Sequence, residues 1–288
     1  MRTRQLSLTV ILIAAALTIT GCCICCNWHS QEHYEKAESL SAPMTGIEQL
    51  QVDTSFGEVV ITGADTAECN VSAKIRGGSP TTDEAKQLVE QTKITLQPQG
   101  KILIIKIDKP FLKNNRSIGV DFNITVPVKT GINCKTSYGR IDLKNIQGDI
   151  VAHTSFGEIK ANNITGKIRL DTSYGAVDCA AITTGDFFAG TSFGEVKVAF
   201  SNSCPPDVKA KIETSYGEID VGIPSGFSGQ VAAETSFGSI RSDLPITVKG
   251  EIGNNHLKGT IGQPALSGVE GGNGMLTLKT SFGSVKIR

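Results

Sequence analysis

Glutamate, serine, histidine and cysteine are the residue types in this 288-residue chain that could carry chemistry, and their spacing limits each of them. Glu58, Glu158, Glu195 and Glu218 each follow a Thr-Ser-Phe/Tyr-Gly tetrapeptide. Carboxylate pairs cleave glycosidic bonds when both converge on one cleft. Here the acidic spacing comes from the tetrapeptide itself, and Arg140 and Ala176 occupy the same column. Ser55 and its seven equivalents recur inside the tetrapeptide without a partnered histidine. A nucleophilic serine needs such a base, so these serines read as structural hydroxyls that satisfy backbone at a corner. His29, His33, His153 and His256 show no metal-ligand spacing, and no Gly-x-Ser-x-Gly elbow supports a hydrolase. The sequence therefore points to no catalytic residue, no cofactor and no metal.

What must position these columns is a repeat. The aromatic and glycine of the tetrapeptide stand at Phe56-Gly57, Tyr138-Gly139, Phe156-Gly157, Tyr174-Gly175, Phe193-Gly194, Tyr216-Gly217, Phe237-Gly238 and Phe282-Gly283. From Gly139 to Gly238 the steps are 18, 18, 19, 23 and 21 residues. A period near twenty means stacked units that cannot bury an apolar face alone. In the copy from Ile150 to Gly175, Ile150, Ala152, Thr154 and Phe156 alternate with polar neighbours, as one face of a strand does. After Gly157 the apolar positions become Ile159 and Ala161, so the chain turns a corner there, and glycine permits the backbone angles a corner needs. Asn162-Asn163-Ile164-Thr165-Gly166 reads as a second turn. The expected fold is all-β: a single-chain β-solenoid, or β-helix, of coils of 18–23 residues, with strands paired in parallel about 4.8 Å apart.

The eight tetrapeptide aromatics occupy equivalent corners and are expected to stack into a ladder. Corner packing accounts for them, since each adjacent pair stabilises by about 0.5–1.5 kcal/mol; a sugar-binding strip is the functional alternative. Further along each coil, Asp142, Lys160, Asp178, Lys197, Asp220, Arg241 and Lys286 alternate so that Tyr coils carry Asp and Phe coils carry Lys or Arg. Opposite charges on neighbouring coils attract weakly and help to fix register.

The rest of the chain gives it an address and ends. Residues 1–21 read as a lipoprotein signal peptide, with Arg2 and Arg4 before an apolar run and Ile19-Thr20-Gly21-Cys22 as a lipobox. Cys22 is the expected lipid-attachment residue, carrying palmitate-like acyl chains, with the membrane as partner and the cell envelope as location. Cys23 after the lipidated position, rather than Asp, favours the outer membrane if the host has one. Residues 22–46 read as a polar tether, 47–131 as the first coil plus an N-terminal cap with a helix near 82–92, and 132–288 as the solenoid with a Gly-rich C-terminal segment. Thr81 and Glu84 are spaced as a capping box for that helix. Cys134 and Cys179 fall on inward positions and read as small core residues. A formal net charge of zero and the absence of any Lys/Arg cluster argue against nucleic acid. The closing strand, Ser284 to Arg288, has nothing after it to cover it, so it is expected to offer an open edge for strand addition or an end-to-end homodimer.

The Thr-Ser-Phe/Tyr-Gly-x-Val/Ile-x-Val units, Ile124-Thr125-Val126-Pro127 leading into them and the helix Thr82–Thr92 before paired strands together resemble a bacterial β-strand-repeat, adhesin-like domain family of unknown function, over about residues 47–288. That family commonly shows Asn where this chain has Phe or Tyr, so the aromatic column is a departure. The resemblance implies a β-helix-like fold, an envelope location and no established catalytic residue. The expected function is that of an envelope-anchored, non-catalytic scaffold for adhesion to a protein or glycan. A structural or stress-associated envelope protein is the alternative, and a polysaccharide-active β-helix enzyme a more distant one.

Overall fold

The structure, a computed structural model, describes residues 32–248, 253, 255–262 and 273–288. The signal sequence, Cys22 and the cysteines beside it lie outside the described residues. The chain begins with β1 (Glu32–Pro43), β2 (Gln49–Asp53), β3 (Val59–Ala64) and β4 (Glu68–Ser79), then α1 (Thr82–Gln91), β5 (Lys93–Gln99), β6 (Ile102–Asp108) and β7 (Ser117–Pro127). The regular coils follow as strand pairs: β8 (Gly131–Tyr138) with β9 (Ile141–Gln147), β10 (Ile150–Phe156) with β11 (Ile159–Thr165), and β12 (Ile168–Tyr174) with β13 (Val177–Thr183). Next come β14 (Asp186–Phe193) with β15 (Val196–Phe200), and β16 (Lys209–Tyr216) with β17 (Ile219–Gly222). The chain closes with β18 (Gly229–Phe237), β19 (Ile240–Ser242), β20 (Thr247–Val248), β21 (His256–Ile261), β22 (Gly274–Phe282) and β23 (Val285–Ile287).

One coil shows why these residues fold this way. In β10, Ile150, Ala152 and Thr154 are buried, while Val151 and His153 face outward. The chain turns at Phe156-Gly157, and Ile159 and Ala161 of β11 are buried again. Asn163 then takes a left-handed φ of 54°. This single residue resets the alternation, so that Ile164 also points inward. The expected turn at 162–166 is therefore strand through Thr165, and the bend comes at Gly166. Parallel pairing in register sets Ile150 beside Ile132 and Ile168, and Ile159 beside Ile141 and Val177. Like residues thus stack on like, and each fully buried Ile contributes roughly 1.5–3 kcal/mol.

Two sheets result, and the core lies between them. One runs β1-β4-β7-β3-β9-β11-β13-β15-β17-β23-β19, and the other β20-β21-β18-β22-β16-β14-β12-β10-β8-β2-β6-β5. At the N-terminal side, the coil β2–β3 is flanked by the later coil β6–β7. Beyond that, β1 pairs antiparallel with β4 along its whole length, from Glu32↔Ser79 to Pro43↔Glu68. From Glu32 onward the expected tether is therefore strand. Its charged residues face solvent apart from Glu38, whose Oε2 is covered, and of its apolar side chains only Tyr34, Leu40 and Ala42 pack against the core, which is why no apolar period marked it. Helix α1 packs on β1 and β4 through buried Ala85, Leu88 and Val89. Gly77 makes room for it, since a Cβ there would meet Val89 Cγ2 at 2.7 Å. Thr81 accepts the Glu84 N–H at 3.4 Å, one half of the expected capping box. The Glu84 carboxylate turns instead to the Ser79 hydroxyl and Arg116, which hold its pKa below the usual value.

The C-terminal side corrects a second expectation. The last strand, β23, is not an edge: it pairs with β17 on one side and β19 on the other. Likewise β22 lies between β16 and β18. The final coil enters a slot between two coils that precede it in sequence. Both neighbours carry the same tetrapeptide, so the slot matches it on each side. With Ser284 to Arg288 enclosed, the basis for strand addition or an end-to-end homodimer at that strand disappears. The outermost strands on this side are β19 in one sheet and antiparallel β20 in the other.

Candidate functional site

The tetrapeptide works as a clasp between coils. Seven of the glycine N–H groups, all but that of Gly238, donate to the carbonyl of the aromatic residue on the adjacent coil, as from Gly139 to Phe156 at 3.1 Å and from Gly157 to Tyr174 at 3.1 Å. Each threonine hydroxyl donates back to a glycine carbonyl: Thr154 to Gly139 at 3.2 Å, Thr172 to Gly157 at 3.0 Å and Thr191 to Gly175 at 2.9 Å. Thr214, Thr235 and Thr280 repeat the bond, whereas Thr54 and Thr136, at the N-terminal end, have buried hydroxyls without a partner. The structural hydroxyl is thus the threonine, not the serine, because threonine points inward at the corner. The glycine is dictated chiefly by close approach: a Cβ on Gly157 would collide with the carbonyl oxygen of Gly139, and one on Gly175 with that of Gly157.

Just outside the clasp stands the aromatic ladder. In space the order is Phe56, Tyr138, Phe156, Tyr174, Phe193, Tyr216, Phe282, Phe237, with centroids 4.8–4.9 Å apart and planes within 8° of parallel. Stacking follows the expectation, but burial does not: the rings remain 43–68% exposed. Strand alternation would put them inside, yet the corner rotates them to the surface. Ring faces are consumed by their neighbours, so the ladder offers edges. A sugar ring that stacks face-on would find a free face only at the two ends, on Phe56 or Phe237.

Of the carboxylates that flank this ladder, Glu58, Glu158 and Glu195 are engaged locally. Glu58 pairs with Arg140 on the next coil. Lys160 holds Glu158 at 3.2 Å and Lys197 holds Glu195 at 2.8 Å, each two residues on along the chain. The Asp/Lys alternation lies in register, Asp142 beside Lys160, Lys160 beside Asp178, and Asp178 beside Lys197. Glu195 above all, then Asp178 and Asp220 from the flanking coils, raise the Lys197 pKa. Insertion of the last coil continues the pattern, with Lys286 beside Asp220, and ends it with Arg241 beside Lys286.

Other candidate chemistry is dispersed. Gly190-Thr191-Ser192-Phe193-Gly194 does have Gly-x-Ser-x-Gly spacing. It lies on a strand that turns into another strand, not on a strand-to-helix elbow. Cys69, Cys134, Cys179 and Cys204 are free and buried. Burial pushes the Cys69 and Cys134 thiols up to about 12 and raises those of Cys179 and Cys204. Among the described residues no group of three His, Cys, Asp or Glu could hold a metal. No helix among them is long and apolar enough to cross a membrane.

Sequence reading missed a notch on the outer face of β14. Gly190 lacks a side chain there, leaving about 360 Å³ bordered by Asp171, Phe188, Glu213 and Lys279. Arg169 lies 4.2 Å from the Phe188 ring centroid and Lys211 5.7 Å from it. The signal was a Phe and a Gly at positions where the two flanking coils carry charged side chains, Arg169 and Lys211 beside Phe188, Asp171 and Glu213 beside Gly190. A shallow groove of about 570 Å³ crosses β1, β4, β7 and β3, where the ion pairs Lys74–Glu35 and Arg76–Asp121 stitch the strands together. It lies on the antiparallel arm, which left no period to read.

Residues 112–266, more than half of the chain, match the family described as Toastrack DUF4097. The chain belongs to the Toastrack family. The resemblance to bacterial β-strand-repeat, adhesin-like domains of unknown function is thereby met, as is the β-solenoid. The Toastrack match includes the ladder positions from Tyr138 to Phe237, while Phe56 and Phe282 lie outside it. No curated protein matched the chain. Among solved structures, a candidate cell adhesion protein from Clostridium sporogenes ATCC 15579 is 18% identical, covering 88% of this chain and 99% of its own, with a TM-score of 0.40. A candidate adhesin from Bacteroides fragilis NCTC 9343 is 11% identical, covering 88% and 97%, at 0.38. A candidate lipid binding protein from Parabacteroides distasonis ATCC 8503 is 13% identical, again covering 88% and 97%, at 0.30.

Proposed function

We propose that this Toastrack protein is an envelope lipoprotein, held in a membrane by acyl chains on Cys22, and that its solenoid is a non-catalytic binding scaffold with the aromatic ladder as contact strip. The ladder carries the reading. Eight rings exposed by 43–68%, at roughly 200 Å² per side chain, make a strip of roughly 800 Å². The largest apolar patch on a typical monomer is about 300–600 Å², and larger ones mark interaction sites. The rigid clasp beneath supports a contact role, because a preorganised surface loses little entropy on binding. Glu58, Glu158 and Glu195 are held in ion pairs and the described thiols are buried, which supports a contact role over chemistry. An envelope structural protein that contacts its neighbours is the second reading, favoured by edges rather than faces on the ladder.

Two measurements test this. Cys22→Ala should abolish acyl labelling and membrane partitioning; unchanged detergent partitioning rejects the anchor. Phe156→Ser, Tyr174→Ser and Phe193→Ser combined should abolish retention on isolated envelope or on a glycan array while the strand signature persists. Retention unchanged in that variant rejects the ladder as contact strip.

A further inference from the structure

We propose that the ladder's partner is a second copy of this chain, docked side by side with the two ladders running in the same direction. This rests on the contact-strip reading above and names its occupant.

Area and period come first. The strip offers roughly 800 Å² per copy, the share each partner contributes to a stable protein–protein interface. Its ring-to-ring step is 4.8–4.9 Å across eight rings. A compact globular partner does not repeat at that step over that length. A second ladder matches it at every rung, and pairing like with like through a two-fold axis is the usual form of homo-oligomers.

The order of rings then chooses the direction. If the two-fold axis runs along the ladder, Phe meets Phe and Tyr meets Tyr. The hydroxyls of Tyr138, Tyr174 and Tyr216, at the outer rim of their rings, then face identical hydroxyls and can pair with them. If the axis runs across the ladder, the observed order sets Tyr138 against Phe282, Phe156 against Tyr216, and Tyr174 against Phe193. Every tyrosine hydroxyl would then be buried against an apolar edge, and an unpaired buried hydroxyl is costly.

The flanking columns agree. Serines 55, 155, 192 and 215 border the ladder on one side, and Glu58, Glu158, Glu195 and Glu218 on the other. An axis along the ladder brings the glutamates of one copy to the serine hydroxyls of the other. An axis across it, in the register above, sets Glu158 of each copy against Glu218 of the other. Like-charge juxtaposition suppresses a wrong docking mode.

The test uses the full acylated chain in its envelope, with photo-reactive p-benzoylphenylalanine in place of Phe237, the most exposed ring of the ladder. Illumination should give a covalent homodimer whose joined peptides both come from the Phe237 region. Tyr174→Lys should reduce it at least tenfold and Tyr174→Phe several-fold, with melting unchanged within a few degrees. Joining of the Phe237 region to the Phe56 region, or no homodimer at all, overturns the proposal. A cross-link to a different envelope protein that Tyr174→Lys removes would overturn self-pairing yet leave the contact strip standing; no cross-link of any kind would overturn both.

Discussion

The Asn163 side-chain amide donates to the Asn145 side-chain oxygen at 2.9 Å, and both residues hold left-handed backbone, at φ 54° and 55°. Asparagine is one of the few residues that tolerates this region. On the next coil the position is Ala181, at φ 53°, and it can neither relieve the strain nor extend the amide ladder. Ala181→Asn should therefore stabilise the fold by about 1 kcal/mol, read as a rise in thermal midpoint. A lower midpoint would mean that the column is not limited by backbone strain.

Threonine and serine of the tetrapeptide should separate cleanly. Thr154→Val removes the hydroxyl bond to the Gly139 carbonyl and should cost about 1 kcal/mol. Ser155→Ala, one residue on and facing outward, should change stability by less than about 0.5 kcal/mol. Urea denaturation of the two variants decides it.

Gly157→Ala drives a methyl into the Gly139 carbonyl. Because that obstacle is backbone, relief requires moving a whole coil, and the expected loss is about 3 kcal/mol. Gly226→Ala, which meets nothing within 4 Å, is the control and should melt like the parent.

Phe156→Ala should be milder than a core truncation. The ring is 45% exposed and stacks on two neighbours, so about 1–2 kcal/mol is expected, against about 3–5 for a buried Phe. A loss in the latter range would show that the ladder supports the fold more than its exposure implies.

The buried thiols give a pH dependence. Cys69 and Cys134 have pKa values of about 12 in the folded chain, against about 8.5 for a free thiol. The folded state therefore binds more protons between those values, so stability is complete below about pH 8.5 and falls as pH rises toward 12. Cys69→Ala with Cys134→Ala should flatten the alkaline limb of a midpoint-versus-pH curve. An unchanged limb would assign it to other groups.

Much of this was legible because a coil is a local object. Ile150, Ala152, Ile159 and Ala161 announce their inward face by spacing, and the tetrapeptide fixes the corner and the register. Three features were hidden for physical reasons. Alternation assigns Phe156 to the inside, and only the rotation of the backbone at the corner brings it out. β1 is a charged edge strand whose partner, β4, holds the apolar residues, so Glu32 to Pro43 shows no period of its own. The position of the last coil depends on a choice among identical tetrapeptides, which no local pattern can encode.

That last position has a consequence in time. Proteins are made from the N-terminus, and β18 emerges before β22. At that moment the free edge of β16 matches β18 as well as it later matches β22: Tyr216 can receive Phe237, and Asp220 can receive Arg241. If β18 settles there first, residues 273–288 reach their place only by exchanging into an occupied position. On that route, completing the solenoid is a strand displacement rather than one more coil added to a stack. Such a step would begin by undoing an earlier one.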